Sequence, residues 1–135
     1  HLLRISEAAS LGLHAASLMA GHGDELVSTR VLAAQLTASE AHLAKVVQRL
    51  VKAGLVVSSR GPRGGVKLSR SADEISQLEV YEAVEGPVAP TECLLGKPVC
   101  SGPCIFGDFV RRIVTEFRDH MAATTLEAFQ PSEDL

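Results

Sequence analysis

All three cysteines of the chain, Cys93, Cys100 and Cys104, lie in one short stretch, ECLLGKPVCSGPC. Their spacing is C-x6-C-x3-C, and two prolines and two glycines between them disfavour a helix or a strand. Thiolate sulfur is a soft ligand for zinc and iron–sulfur clusters, and it is also the reactive form in disulfide exchange. An odd number of cysteines does not close a disulfide framework. Residues 93–104, the cysteine segment, therefore predict metal, cluster or redox chemistry.

Length and composition narrow the class of protein around this segment. The chain has 135 residues, which suits one domain or a small domain with an appendage, and 46% of them are apolar. No apolar run approaches the roughly 18 residues that a membrane-spanning helix needs, so we expect no membrane partner. We also find no signal peptide and expect a cytoplasmic protein, a compartment in which thiols stay reduced.

The charge is distributed unevenly along the chain. The net charge is −3, but residues 1–70 hold nine Lys and Arg against four Asp and Glu, a balance of +5. Residues 71–135 hold four basic and twelve acidic residues, a balance of −8. A basic half joined to an acidic half indicates one module that binds a polyanion and one with another task.

Hydrophobic periodicity predicts a mainly α-helical fold with a small β-hairpin wing. The clearest helix is SEAHLAKVVQRLVKAG, where Ser39 is a natural N-cap and the apolar residues form one stripe. A Gly-Pro-Arg-Gly-Gly turn divides the Val-rich stretch that follows, which is typical of a hairpin with a basic tip. The expected elements are helices at 6–22, 28–36 and 39–54, a hairpin at 55–70, a short helix within 71–86 and a long helix at 105–126.

Helix, helix, turn, helix and hairpin is the order of a winged helix-turn-helix domain. A helix with a polar outer face fits the major groove of B-DNA, and an arginine-bearing wing tip can follow the backbone or enter the minor groove. Hydroxyl groups at the start of the preceding helix can hold a phosphate. Protein contacts are the alternative use of such a domain. The predicted DNA-contacting residues are Ser28, Thr29, Thr37, Ser39, His42, Lys45, Arg49, Arg60 and Arg63.

With these pieces in place, the chain resembles the Rrf2 family of bacterial winged-helix transcription regulators, of the IscR, NsrR and CymR type. The resemblance rests on RISEAASLGLHA near the start, AGLVVSSRGPRGGVKLSR at the wing, EISQLEVYEAVEG after it, the three cysteines, and TTLEAF near the end. It covers about residues 3–129.

The resemblance implies a homodimer that places two recognition helices and two wings on a palindromic double-stranded DNA operator. It divides the chain into a winged helix-turn-helix domain (3–70), a short helix with the cysteine segment (71–104), a long dimerisation helix (105–129) and a flexible tail (130–135). Many relatives hold an iron–sulfur cluster on three cysteines in this segment, which here would be Cys93, Cys100 and Cys104. The cluster could be [2Fe-2S] or [4Fe-4S].

The fourth cluster ligand is open, because the chain has only three cysteines. Positions that ligate in some relatives are Gly107 and Ser10 here, which puts the usual ligand sets in doubt. His14, one helical turn after Ser10, and Asp108, four residues after Cys104, are the candidates within the chain. Structural zinc and a metal-free thiol switch remain alternatives to a cluster.

The resulting prediction is a transcriptional regulator, of the repressor type, whose operator affinity follows redox state, nitric oxide or cluster supply. The alternative is a metal-free winged-helix regulator that responds through cysteine oxidation or a partner protein. A small thiol oxidoreductase is disfavoured, because the chain has no C-x-x-C motif, no nucleophile elbow and no local Cys–His pair. We therefore predict that the chain is not an enzyme.

Overall fold

The computed structural model describes residues 5–88, 93 and 99–128, and it confirms a mainly helical fold with a two-stranded hairpin. The predicted tail at 130–135 lies outside the described residues. Within the described part, no helix has the length and apolar character needed to cross a membrane. The elements in chain order are α1 (Glu7–His22), α2 (Thr29–Gln35), α3 (Glu40–Lys52), β1 (Val56–Ser59), β2 (Gly65–Leu68), a 3-10 turn (Ala72–Glu74), α4 (Gln77–Glu85) and α5 (Phe109–Ala123).

Helix α1 is the centre of the core, and it packs against α3, α4 and β2. Ser6 caps its start, because the Ser6 Oγ accepts a hydrogen bond from the Ala9 amide at 3.1 Å. Gly12 permits the close approach of three helices. A Cβ at this position would lie 3.0 Å from Val84 Cγ2 of α4 and 3.4 Å from Val46 Cγ1 of α3. Any larger residue would push these helices apart.

Helix α3 forms as the apolar stripe predicts. Its N-cap is Ser39, and its buried residues are Leu43, Val46, Val47 and Leu50. They join a single apolar cluster with residues of α1, α2, the hairpin and α4. Burial of this stripe, at spacings of three and four residues, fixes which side of α3 faces solvent.

The wing is the antiparallel pair β1 and β2, in which Val56 lies opposite Leu68. A third backbone segment extends the pairing: the Val27 amide donates to the Val66 carbonyl at 3.0 Å, and the Val66 amide donates to the Val27 carbonyl at 2.8 Å. Val66 and Leu68 are buried, so the inner side of β2 anchors the hairpin in the core.

The long helix α5 is shorter than predicted. It spans Phe109–Ala123 instead of 105–126, and residues 105–108 form a turn in which Gly107 has a φ of 59°. The predicted apolar stripe through Ile105 is also wrong in part, because the residues of α5 buried in this chain are Val110, Val114 and Met121. A repeat of four residues describes one helix face but does not say whether that face packs within the chain.

After α5 the chain returns to the start of α4. The Gln77 amide donates to the Thr124 carbonyl at 2.8 Å, and the Leu126 amide donates to the Ile75 carbonyl at 3.0 Å. Leu126 and Ile75 are both buried in the same apolar cluster as α1 and α3. One core therefore runs across the division predicted at residue 70, and this return holds the C-terminal end of α5 beside the start of α4.

Helix α4 begins with a capping box formed by Ser76 and Glu79. The Glu79 amide donates to Ser76 Oγ at 3.1 Å, and the Glu79 carboxylate accepts from the Ser76 amide at 2.9 Å. The same carboxylate forms an ion pair of 2.8 Å with Arg70, which follows the wing. Burial acts to raise the pKa of Glu79, but the hydrogen bonds and the charge of Arg70 outweigh it and lower the pKa below its ordinary value.

We expect Glu79→Gln to destabilise the protein at pH 7 by up to about 1 kcal/mol, since the pair is partly exposed. A pKa that is lower in the folded state contributes stability above the unfolded pKa, and this contribution is lost as the pH falls through the folded pKa. Urea unfolding should therefore show a gap between the variant and the wild type that closes between pH 5 and pH 3. Glu74→Gln, at an exposed acidic residue nearby, is the control. A gap that persists at pH 3 would contradict the prediction.

Candidate DNA-binding surface and cysteine segment

The solvent face of α3 carries the residues that the sequence predicts for DNA contact, with one exception described below. Ala41, Lys45, Gln48 and Lys52 are exposed at spacings of three and four residues, so they share one face. His42 lies half-buried at the edge of this face. A face with two small or amide side chains and two lysines leaves room for close approach to a groove and supplies charge for phosphates.

The hydroxyl residues lie at the two helix starts that flank the turn between α2 and α3. Ser28 is the N-cap of α2 and accepts from the Val31 amide at 3.1 Å, and Ser39 accepts from the His42 amide at 3.3 Å. Each capping oxygen uses a lone pair, so its O–H can still donate to a phosphate. Thr29 is the first residue of α2, and Thr37 is exposed in the turn with a φ of 52°.

The wing tip, residues 60–64, carries Arg60 and Arg63, and both are exposed. A turn closes the tip, with the Gly64 amide donating to the Gly61 carbonyl at 2.9 Å. Gly61 has a φ of 102°, a conformation that L-residues rarely adopt. The glycines thus shape a narrow tip that presents two guanidinium groups to solvent.

Arg49 is the exception on α3, because its side chain has a partner within the chain. Its Nη1 donates to the Val84 carbonyl at 2.9 Å, and Val84 lies in the last turn of α4. The sequence predicts Arg49 as a DNA contact, and that role stays a prediction. The structure adds a bond to an element that lies 35 residues further along the chain.

The cysteine segment joins α4 to α5 and holds three free thiols. Cys93 is half-buried, and Cys100 and Cys104 are exposed. The Cys104 sulfur accepts a hydrogen bond from the Phe106 amide at 3.5 Å. Among the described residues, no three His, Cys, Asp or Glu side chains are grouped closely enough to hold a metal ion. The segment therefore brings the thiols to one end of α5 without assembling a closed site in the single chain.

The two candidates for a fourth ligand lie on different elements. His14 is exposed on α1, and its Nδ1 lies 2.7 Å from the Ser10 carbonyl oxygen. A carbonyl only accepts, so Nδ1–H is the donor and the Nε2 lone pair of a neutral ring is free for a metal. Asp108 precedes α5, and its carboxylate lies 3.7 Å from Arg112 Nε. His14 thus has the orientation seen in metal-bound histidines, while Asp108 pairs with a cation.

The last turn of α4 is a junction that the sequence did not predict. The Glu82 carboxylate accepts from the Val88 amide at 2.7 Å, and the Glu85 carboxylate accepts from the Ser6 hydroxyl at the cap of α1. These bonds connect α4 both to α1 and to the chain leading into the cysteine segment. The capping motif Ser-Gln-Leu-Glu at the start of α4 was available as a local signal for that helix, but no local signal indicates these long-range partners.

Comparison with known proteins agrees with this architecture. Residues 5–131 match the Rrf2 family model, described as an iron-dependent transcriptional regulator. The HTH-type transcriptional regulator NsrR of Oceanobacillus iheyensis is 30% identical over 113 residues, which cover 82% of this chain and 77% of that protein.

Solved structures give the same result for the fold. CymR of B. subtilis, described as its global cysteine regulator, superposes with a TM-score of 0.78 at 31% identity, covering 93% of this chain and 95% of CymR. IscR of T. potens superposes with a TM-score of 0.76 at 24% identity, covering 93% of this chain and 85% of IscR, and this likeness supports the fold alone.

The family model covers nearly the whole chain, including α5. Members of this family are transcriptional regulators, which confirms the predictions of a winged-helix regulator and of a protein that is not an enzyme. The chain belongs to the Rrf2 family of transcriptional regulators.

Proposed function

We propose that this regulator binds operator DNA as a homodimer through α3 and the wing tip, and that an iron–sulfur cluster held by Cys93, Cys100 and Cys104 sets its affinity. The observation that carries the proposal is the placement of three free cysteines on the one segment that joins the winged domain to α5. Because that segment leads directly into α5, a change in it alters the geometry between the two parts.

The DNA-binding part of the proposal is supported by charge and exposure. Lys45, Arg60 and Arg63 are exposed, and they belong to the half of the chain with a net charge of +5. Phosphate contacts from such residues supply affinity and position, and base contacts from α3 supply sequence preference. The hydroxyls of Ser28, Thr29, Thr37 and Ser39 add donors around the turn.

The homodimer is supported by an apolar patch around the start of α5. The patch consists of Val99, Ile105, Phe106 and Phe109, which are 70%, 88%, 44% and 46% exposed in the single chain. Four large apolar side chains exposed within residues 99–109 indicate a surface that another chain covers. A twofold dimer suits a palindromic operator, because each chain then meets one half-site.

We expect Phe109→Glu to weaken dimerisation by at least about tenfold, because a buried carboxylate in an apolar interface lacks a partner. Sedimentation equilibrium across a range of protein concentrations measures the dimer dissociation constant. Val57→Glu is the matched control, since Val57 is 43% exposed on the wing and lies outside the patch. Equal dimer dissociation constants for the wild type and Phe109→Glu would contradict the proposed interface.

The donor set fits an iron–sulfur cluster. Three thiols without a disulfide, on a chain segment rich in Pro and Gly, supply soft ligands that iron–sulfur clusters favour. The fourth ligand would come from His14, whose Nδ1 donates to Ser10, from Asp108, or from outside the chain. A bound cluster would supply a group sensitive to redox state, nitric oxide and iron supply.

The chain's own residues would transmit the state of the segment. Cys93 and Cys104 lie at its two ends, and Cys104 accepts a hydrogen bond from Phe106 just before α5. Drawing the three thiols together shortens the path between α4 and α5, and releasing them relaxes it. A ligand changes DNA affinity only by its different affinity for the two arrangements, so this difference sets the strength of control.

Anaerobic purification tests the proposal. We expect coloured protein with stoichiometric iron and sulfide, and a change in affinity for a selected DNA duplex when the cluster is removed. Colourless protein after anaerobic reconstitution would overturn the cluster mechanism. A duplex affinity that then follows peroxide treatment would point to the metal-free alternative, in which the thiols themselves respond.

A further inference from the structure

We propose that Arg49 is a positioning residue that couples the recognition helix α3 to the start of the cysteine segment, in place of a direct contact to DNA. This inference rests on the proposed function for the signal that is coupled, but the link itself is a property of the winged domain. It follows from one long-range hydrogen bond and from the bonds around the acceptor.

The hydrogen bond is well placed to hold the end of α4. The carbonyl groups in the last turn of a helix have no partner within the helix, and they carry the negative end of the helix dipole. Arg49 donates from Nη1 to the Val84 carbonyl at 2.9 Å, one residue before α4 ends at Glu85. A guanidinium at this position both satisfies the carbonyl and complements the dipole.

The same turn of α4 is tied to the chain that leads into the cysteine segment. The Glu82 carboxylate accepts from the Val88 amide at 2.7 Å, and Gly86 takes a φ of 89° as the helix ends. Val88 lies five residues before Cys93. A pull on the cysteine segment therefore acts first on the turn that Arg49 holds.

Packing makes this turn a rigid lever. The Val84 side chain is buried and lies against the space at Gly12 of α1, close to Val46 of α3. Glu85 accepts a hydrogen bond from the Ser6 hydroxyl at the cap of α1. Displacement of the α4 terminus thus meets close-packed neighbours on two sides, and the bond to Arg49 passes it to the last turn of α3.

The proposal separates two roles that a basic residue on α3 could have. A phosphate contact contributes about 0.9 to the slope of log affinity against log salt concentration, whereas a bond within the chain contributes none. Lys45 is exposed one turn earlier on the same helix and belongs to the proposed DNA surface. It is therefore the matched comparison for Arg49.

The experiment compares the full-length wild type with Arg49→Met, Arg49→Lys and Lys45→Met on one duplex selected from a random pool. We expect Lys45→Met to lower the salt slope by about 0.9. We expect Arg49→Met to leave the slope unchanged, and to raise amide hydrogen exchange at Gly86 and Val88 at least threefold. Arg49→Lys, which keeps the charge but loses the guanidinium geometry, should fall between wild type and Arg49→Met in exchange.

The ratio of duplex affinity with and without the cluster should fall at least threefold in Arg49→Met and stay unchanged in Lys45→Met. A lower salt slope in Arg49→Met with normal exchange would overturn the proposal and make Arg49 a phosphate contact. Unchanged slope, exchange and affinity ratio would overturn it as well. If the wild type binds no cluster, the proposed function fails, while the salt and exchange measurements still decide the role of Arg49.

Discussion

Replacing Cys104 with serine is expected to reduce bound iron and sulfide to less than about a tenth of the wild-type amount after anaerobic reconstitution. Only three thiols are available, and a serine hydroxyl is a harder and weaker ligand for a cluster than a thiolate. The same loss is expected for Cys93→Ser and Cys100→Ser. Iron and sulfide assays with an absorption spectrum measure the effect, and the affinity for a selected duplex should no longer depend on reconstitution.

The control for the cysteine variants is stability. Cys100 and Cys104 are exposed, so their serine variants should unfold within about 0.5 kcal/mol of the wild type. Ser101→Ala, in the same segment, should retain iron and sulfide. Full iron and sulfide in any of the three serine variants would remove that cysteine from the ligand set. Applied to His14→Ala and Asp108→Ala, the same assay distinguishes the two candidates for the fourth ligand.

Replacing Gly65 with alanine is expected to destabilise the protein by about 3 kcal/mol, from backbone strain and steric overlap together. Gly65 has a φ of 156°, and a Cβ there would lie 2.6 Å from the Val27 carbonyl oxygen. That oxygen accepts the hydrogen bond from Val66 at 2.8 Å, so the overlap would break the pairing that anchors the wing. Urea unfolding measures the loss of stability.

Gly61→Ala separates the two causes. Gly61 also has a positive φ, of 102°, but nothing lies within 4 Å of the position of its Cβ. We expect this variant to lose only about 1 kcal/mol, which is the contribution of backbone strain alone. Equal losses of stability in Gly61→Ala and Gly65→Ala would contradict a specific role for the contact between Gly65 and Val27.

Local patterns predicted the winged domain well, because each pattern is a property of neighbouring residues. The stripe from Leu43 to Leu50 has one buried side in the structure, as its helical spacing requires. The glycines of the wing mark a turn that only residues without a Cβ form easily. The cysteines stand out by residue type, so the candidate site could be located before any fold was known.

Long-range partners were outside the reach of these patterns. Ile105 continues the four-residue repeat of α5, yet it is 88% exposed before the helix begins, because periodicity does not distinguish a core from a surface that another chain covers. The return of Leu126 to Ile75 depends on how the chain folds back after α5. No pattern near either residue indicates this pairing.

The sequence by itself therefore determined the family, the helix-turn-helix with its wing, and the grouping of the thiols between the wing and the last helix. Only the tertiary structure decided where α5 starts, that one core joins α4 and Leu126 to the winged domain, and that Arg49 binds the end of α4. The physical reason is distance along the chain. Period and turn chemistry act within a few residues, whereas the partner of Arg49 lies 35 residues away and is selected by packing.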